Sequence, residues 1–409
     1  MKIIKTIKWG YCLGLLVLIA TTQSWAQDSK LKISGFSNIT FSSAFGDAAS
    51  EEQRARHLLN GGDPEITREG TDFSFPGLNL FLNSQLSDQL TFQSEVRFEV
   101  KKNDLSTSIE QTYLKYAFSE KFNLTTGLFI TPLGYLARNQ RDLDYLNYSF
   151  KVRDMINEDF GFTPFQTLGF QINGTFEAGS SAIRYWLAYG GSRNITPTGF
   201  IFETQFGDDK HSSASLTANL EYYKPMDNGE LILGFGLTSS PRIGSYYIAT
   251  AGGVAQIETD PLIGATEMEL SEIIIAPYVK YDADKFQIFI EYHKNTLTDE
   301  LGNTANKTYS FDTFSGQLLY KTKIKEKSVY PYVRYDRVDF SNDDPGPYYG
   351  LVSVEDDVLM RTHTANREQI MFGMALDLFS SNRIKIEYAY FLNGPEPQNG
   401  INIATAFAF

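Results

Sequence analysis

Apolar and polar side chains alternate with a period of two residues along most of this chain. The alternation is clearest between residues 90 and 100, where Leu90, Phe92 and Val96 lie on one face and Glu95 and Arg97 on the other. This is the period of a β-strand, in which successive side chains point to opposite faces. Sixteen segments share the pattern and are predicted as strands: residues 33–41, 78–86, 90–100, 114–118, 124–130, 168–172, 183–189, 216–222, 231–237, 273–281, 286–292, 314–320, 329–335, 370–378, 384–390 and 401–409.

The connections between these segments alternate between short and long. Short turns are expected at residues 87–89, 119–121, 177–181, 224–229, 282–285, 321–327 and 380–382. Longer loops are expected at residues 42–77, 131–166, 191–212, 239–267, 295–308 and 339–366, with briefer ones at 101–107 and 393–400. Short turns at one end and long loops at the other, with an even strand number, are typical of outer-membrane barrels. The predicted fold class is all-β, a transmembrane antiparallel β-barrel of about sixteen strands.

The two ends of the chain support this interpretation. The last segment places Phe407 and Phe409 on an apolar face and small or polar residues on the other, and it resembles the insertion signal of bacterial outer-membrane barrels. Residues 1–26 carry three lysines, an apolar run of about ten residues and the sequence Ser24-Trp25-Ala26, a pattern typical of a cleaved signal peptide. We therefore expect residues 27–409 to form a single barrel domain. A soluble two-sheet protein, the alternative, would need only about 250 residues and would explain neither end.

Composition narrows the possible partners. The formal net charge of −13 makes nucleic acid an unfavourable partner. After residue 26 there is no continuous apolar stretch long enough for a membrane helix. The single cysteine, Cys12, lies in the predicted signal peptide, so neither disulfides nor thiolate chemistry are expected. The 24 tyrosines and 31 phenylalanines are suited to aromatic girdles at two membrane interfaces.

The segment after the fifth predicted strand carries the most specific motif. It reads Gly127-Leu-Phe-Ile-Thr-Pro132-Leu-Gly134-Tyr135 and continues into a long, charged loop. Here the chain resembles the porin superfamily, nearest to the phosphate-selective porin O and P group. The resemblance implies a sixteen-stranded, usually trimeric, passive diffusion channel of the Gram-negative outer membrane, in which the third external loop folds into the barrel and narrows the pore.

Charged residues of this third loop are the candidates for a pore constriction, because fixed charges act strongly on ions in a narrow passage. The candidates are Arg138, Arg141, Asp142, Asp144, Lys151, Arg153 and Asp154. From Arg138 to Asp159 the loop has four basic and five acidic side chains, a balance that does not favour phosphate selectivity. The alternative is that these residues pair with one another and only fix the loop.

Charged residues on the polar faces of the strands are the candidates for the lumen wall. They include Glu95, Arg97, Glu99, Lys115, Arg184, Arg334, Asp336 and Lys385. Such a mixed lining suits small hydrated solutes. Two arrangements remain open: a transverse field, with Arg97, Lys115 and Arg184 facing Asp142 and Asp144, or scattered solvated charges.

Enzymatic motifs are missing from the sequence. We find no H-E-x-x-H, P-loop or G-x-S-x-G sequence, and among the four histidines only His293, directly after the predicted strand 286–292, lies outside the predicted long loops. No catalytic residue, metal site or cofactor is predicted; Asp343-Asp344 and Asp356-Asp357 resemble solvated loop charge more than Ca²⁺ ligands.

The predicted function is a porin, a passive channel for small hydrophilic solutes or ions. Two alternatives are a substrate-selective channel for anions or sugars and a closed surface barrel that binds a partner through its long loops. Expected partners are outer-membrane lipid, the permeating solutes, two further copies in a homotrimer and the barrel-assembly machinery during insertion.

Overall fold

A computed structural model describes most of the chain. The described residues are 31–45, 70–101, 104–139, 148–149, 164–191, 194–196, 199–201, 214–251, 254–258, 266–302, 308–340, 351–352, 360–361, 367–393 and 399–409. The predicted signal peptide, Asp343-Asp344 and Asp356-Asp357 lie outside them.

Sixteen antiparallel strands form one closed barrel, and each predicted strand is found. They are β1 (Lys32–Phe45), β2 (Gly70–Gln85), β3 (Leu90–Lys101), β4 (Asp104–Ser119), β5 (Phe122–Ile130), β6 (Gln166–Ala178), β7 (Ser181–Gly191), β8 (Ala214–Met226), β9 (Gly229–Ala251), β10 (Thr266–Ala283), β11 (Phe286–Asp299), β12 (Thr308–Tyr320), β13 (Lys327–Phe340), β14 (Arg367–Phe379), β15 (Asn382–Asn393) and β16 (Asn399–Ala408). One short helix, α1 (Leu136–Asn139), lies between β5 and β6. The predicted fold class is therefore confirmed.

The barrel closes between the first and the last strand. β1 and β16 pair from Phe36 with Ala408 to Phe45 with Asn399. Phe409 continues this seam, because its backbone N–H donates to the Gly35 carbonyl at 2.9 Å and its carbonyl accepts from the Gly35 N–H at 3.0 Å. Closure pairs the backbone groups that an open sheet would leave at its edges, as a strand-built structure in lipid requires.

Several strands run further into the loops than the alternation predicts. β9 continues to Ala251 and β10 begins at Thr266, so most of the loop predicted at residues 239–267 is strand. The register of this pair shifts between Ser240 and Gly244, which interrupts the two-residue period while the backbone pairing continues. Short strands add to the ladder at Val254–Glu258, which pairs with β9, and at Thr322–Ile324, within the turn predicted at residues 321–327.

The two faces of the barrel differ in exposure. Apolar side chains such as Leu220 and Phe235 are 54% and 48% exposed on the outer face. On the lumenal face of β11, the side chains of Glu291, His293 and Asn295 are at most 1% exposed. A continuous apolar outer surface is what a barrel presents to lipid. Among the described helical residues, none forms a helix of the length and hydropathy needed to cross a bilayer.

Candidate functional site

The turn that follows β5 packs against lumenal residues of β10. Thr131 is held to the other end of its loop, since its N–H donates to the Phe165 carbonyl at 3.0 Å. Leu133 is fully buried and packs against Ile274 and Ala276 of β10. The lumenal face of the wall is apolar at this point and therefore forms a buried hydrophobic contact with the Pro-Leu-Gly turn.

Glu291 of β11 binds the start of α1. Its Oε2 accepts the backbone N–H groups of Tyr135 at 2.9 Å and Leu136 at 3.0 Å. Its Oε1 lies 2.5 Å from Nε2 of His293, and both side chains are buried. A buried carboxylate that accepts several hydrogen bonds is held in one position, because each bond offsets part of its lost hydration. Glu291 therefore fixes the turn to the wall.

Glycines make this close approach possible. Gly134 has φ +70°, a left-handed conformation, and a Cβ there would lie under 3.0 Å from Glu291 Oε1. On the facing wall, a Cβ on Gly236 of β9 would lie 2.9 Å from the Gly134 nitrogen and 3.0 Å from Leu133 Cδ1. Both positions lack room for a side chain.

Arg138 of α1 forms an ion pair with the wall. Its Nη2 lies 2.5 Å from Oε1 of Glu221 on β8 and 3.0 Å from the hydroxyl of Tyr278 on β10. Its Nε donates to the Gly134 carbonyl at 2.8 Å, and its guanidinium lies 4.1 Å from the ring centroid of Trp186 on β7. Arg138, predicted as a constriction residue, thus connects α1 to three strands.

A second part of the same loop contacts the opposite side of the barrel wall. Ser149 donates to Glu387 Oε2 on β15 at 2.6 Å and contacts Arg334 on β13. The ring of Tyr148 lies 4.8 Å from that of Tyr330 and 4.6 Å from the Arg383 guanidinium. Burial raises the pKa of the Tyr148 phenol, which therefore remains neutral at physiological pH. These contacts join the loop to strands on the side of the barrel opposite β5.

A cavity of about 640 Å³ remains between the loop segment and the other part of the wall. It is lined from β1, β2, β4, β5, β6 and β7, from the chain terminus, and by Pro132 and Arg138 of the loop. Its polar lining consists mainly of amides and hydroxyls, such as Gln111, Gln171 and Asn173, beside the aromatic ring of Trp186. Such a lining can exchange hydrogen bonds with a hydrated solute.

The predicted wall residues fall in different environments. Glu95 binds Asn79 at 2.7 Å and Gln111 at 2.9 Å; Asp336 lies 3.1 Å from Arg334. Arg184 stacks on Tyr223, whereas Lys115 lines the cavity. Arg97 and Lys385 also lie on lumenal positions, paired across the ladder with Asn79 and with Ala375 and Ala404. The side chain of Glu99 lies outside the described part, as do six predicted loop residues: Arg141, Asp142, Asp144, Lys151, Arg153 and Asp154.

Sequence reasoning missed two tyrosines that complete the loop contacts. Tyr278 binds Arg138 and Glu221, and the hydroxyl of Tyr332 donates to Glu387 at 2.6 Å. Each tyrosine lies across the ladder from a glycine, Tyr278 from Gly234 and Tyr332 from Gly373. The sequence does contain a signal for such tyrosines, namely a glycine at the lumenal position opposite. The glycine has no Cβ, and the tyrosine ring can cover the space that this leaves.

Comparison with known proteins yields structural likeness only. The sequence matches no protein-family model and no curated protein. The anion-selective porin from Comamonas acidovorans is similar over 93% of this chain and 100% of its own, with a TM-score of 0.59 and 11% identity. The trimer form of the outer-membrane protein OmpT of Vibrio cholerae covers 93% and 99%, with a TM-score of 0.52 and 13% identity. The outer-membrane channel DcaP of Acinetobacter baumannii covers 93% and 97%, at 0.52 and 13%.

These likenesses agree with the closed barrel and its apolar outer face. They confirm the β-barrel fold that is found in outer-membrane proteins. At 11–13% identity they show the fold alone.

Proposed function

We propose that this protein is an outer-membrane porin, a passive diffusion channel for small hydrophilic solutes or ions. The observation that carries the proposal is the cavity of about 640 Å³ inside a closed sixteen-strand barrel, with amide and hydroxyl groups on its wall. A polar lumen enclosed by an apolar outer wall gives solutes a route through lipid without an energy source.

We further propose that the third external loop narrows this route. The support is that Leu136 and Ser149 of the loop bond to Glu291 and Glu387, which lie on lumenal faces of different strands. Since both ends of the loop join β5 and β6, a loop that reaches β15 must cross part of the lumen. The charged residues Arg141, Asp142, Asp144, Lys151, Arg153 and Asp154 would then lie near the passage.

Other predictions are retained as part of this proposal. They are the cleaved signal peptide of residues 1–26, the single barrel domain of residues 27–409, the homotrimer, contact with lipid and insertion by the barrel-assembly machinery. The OmpT structure in its trimer form supports the homotrimer. The likeness to porins favours transport over catalysis. Membership of the phosphate-selective group rests on the Gly127–Tyr135 segment and the closing strand.

Single-channel recording in a planar lipid bilayer tests the proposal. Protein that is folded, as judged by its heat-dependent mobility on a gel, should produce stable current steps in KCl. The matched control is the same protein unfolded by heat before addition. Folded protein that inserts and carries no current would contradict the porin function and favour the closed, partner-binding barrel.

A further inference from the structure

We infer that the passage prefers anions, although the whole chain is acidic, and that Lys115 is the residue that sets this preference. The inference rests on the proposed porin function. It is based on which charges line the cavity and which are neutralised elsewhere in the lumen.

The described side chains that line the cavity include two cations and no carboxylate. The cations are Lys115 of β4 and Arg138 of α1. The chain terminus at Phe409, which also lines it, is bonded through its backbone to Gly35. The formal net charge of −13 therefore does not describe the surface that a passing ion would meet. Ions separated from a fixed charge by more than about 10 Å at 0.1 M salt are largely screened from it. Residues lining the cavity therefore act most strongly on an ion inside it.

Four buried lumenal acids do not line this cavity, although Glu221 pairs with Arg138, which does. Glu221, Glu291, Asp336 and Glu387 are at most 3% exposed, and each is bound by a neighbouring cation, amide, hydroxyl or imidazole. A buried carboxylate with such partners exerts a reduced field on a distant ion, because its partners' dipoles or charges oppose its own.

Arg138 contributes less than its formal charge, since it pairs with Glu221. Its guanidinium nevertheless lies on the cavity side of that pair, because Arg138 lines the cavity and Glu221 does not. The pair therefore presents its positive end to the passage.

Lys115 has no such partner. It lines the cavity, and within the part of the chain that the structure describes it forms no hydrogen bond or ion pair. Its cross-strand neighbours are Thr91 on β3 and Thr125 on β5, neither of which carries charge. A lysine ammonium in a hydrated passage attracts small anions, including the carboxylates of organic acids, and repels cations.

The test is the reversal potential under a KCl gradient, recorded for four proteins. The unmodified protein is compared with Lys115→Gln and with Gln171→Glu, which adds a carboxylate to the same cavity. The matched control is Lys121→Gln, which removes a lysine from the exposed turn between β4 and β5. Each variant is first checked for heat-dependent gel mobility.

We expect the unmodified channel to prefer chloride over potassium. Lys115→Gln should lower the chloride-to-potassium permeability ratio by roughly five-fold. This is the combined effect of one charge about 8 Å from each ion in water, since it attracts chloride and repels potassium. Gln171→Glu should lower it as well, and Lys121→Gln should leave it unchanged. A conducting channel that prefers potassium, or a ratio that neither cavity variant changes, would overturn the inference and leave the porin function standing. Absence of current from all folded proteins would overturn the porin function itself.

Discussion

Replacing Gly134 with alanine should loosen the third loop without opening the barrel. Gly134 has φ +70°, where a residue with a Cβ costs about 1–2 kcal/mol. The added Cβ would also lie under 3.0 Å from Glu291 Oε1 and 3.1 Å from His293 Nε2. Glu291 is fully buried and its carboxylate is bonded to His293 and to two backbone N–H groups, so we expect the turn to be displaced.

The size of the effect follows from the bonds that displacement breaks. Glu291 accepts two backbone N–H groups, and each hydrogen bond to a charged group contributes about 1.5–3 kcal/mol. Loss of one of them, with the backbone strain, gives about 2.5–5 kcal/mol. At about 1.4 kcal/mol per tenfold, the detached state of the turn should become at least roughly fifty-fold more populated.

Single-channel recording measures this directly. A loop that leaves the wall intermittently should increase the open-channel current noise and raise the mean conductance. Gly179→Ala is the matched control, because Gly179 has φ +65° with no atom within 4 Å of the added Cβ. It therefore carries the same backbone strain with no collision. If Gly134→Ala and Gly179→Ala give the same noise and conductance, the bonds from Glu291 to Tyr135 and Leu136 do not hold the loop against the wall.

Three further predictions concern other contacts of the barrel. Glu221→Gln should raise the chloride-to-potassium permeability ratio, because it removes the counter-charge 2.5 Å from Arg138 while keeping an acceptor for Tyr278; an unchanged or lower ratio would count against the charge assignment. Gly234→Ala should lower the midpoint of heat-induced unfolding on gels by the equivalent of about 1–3 kcal/mol, because the added Cβ would collide with the Tyr278 ring. The control is Gly316→Ala, whose Cβ meets only Phe314 at 3.2 Å and which should change the midpoint little. Phe409→Ala should leave the unfolding midpoint nearly unchanged, because the side chain is 61% exposed and the two bonds to Gly35 are backbone bonds, but should reduce insertion in cells; deletion of Phe409 should lower both.

The strand number and the closure of the barrel could be predicted because they depend on local signals. A side chain in a strand faces either lipid or lumen, so the two-residue period records each crossing, and Phe407 and Phe409 mark the last one. The outer ends of strands were less predictable. At Ser240 to Gly244 the pairing of β9 with β10 passes through a register shift, where the side-chain period is lost and the backbone ladder is not.

The use of the lumenal charges could not be predicted in the same way. Glu291 and Glu387 follow the same two-residue alternation as any wall residue. Their partners Leu136 and Ser149, however, lie 155 and 238 positions away in sequence. Along one strand, a charged residue that faces water cannot be distinguished from one that binds a loop. The two differ only in whether a segment distant in sequence supplies a hydrogen-bond partner. Lys115 illustrates the consequence. It is one of several lumenal cations in the sequence, and it differs from Arg138 and Arg334 because no carboxylate meets it in the described structure. Selectivity in such a barrel therefore depends on the lumenal charges that have no partner in the loop or the wall. The sum of these charges can have the opposite sign to the net charge of the chain.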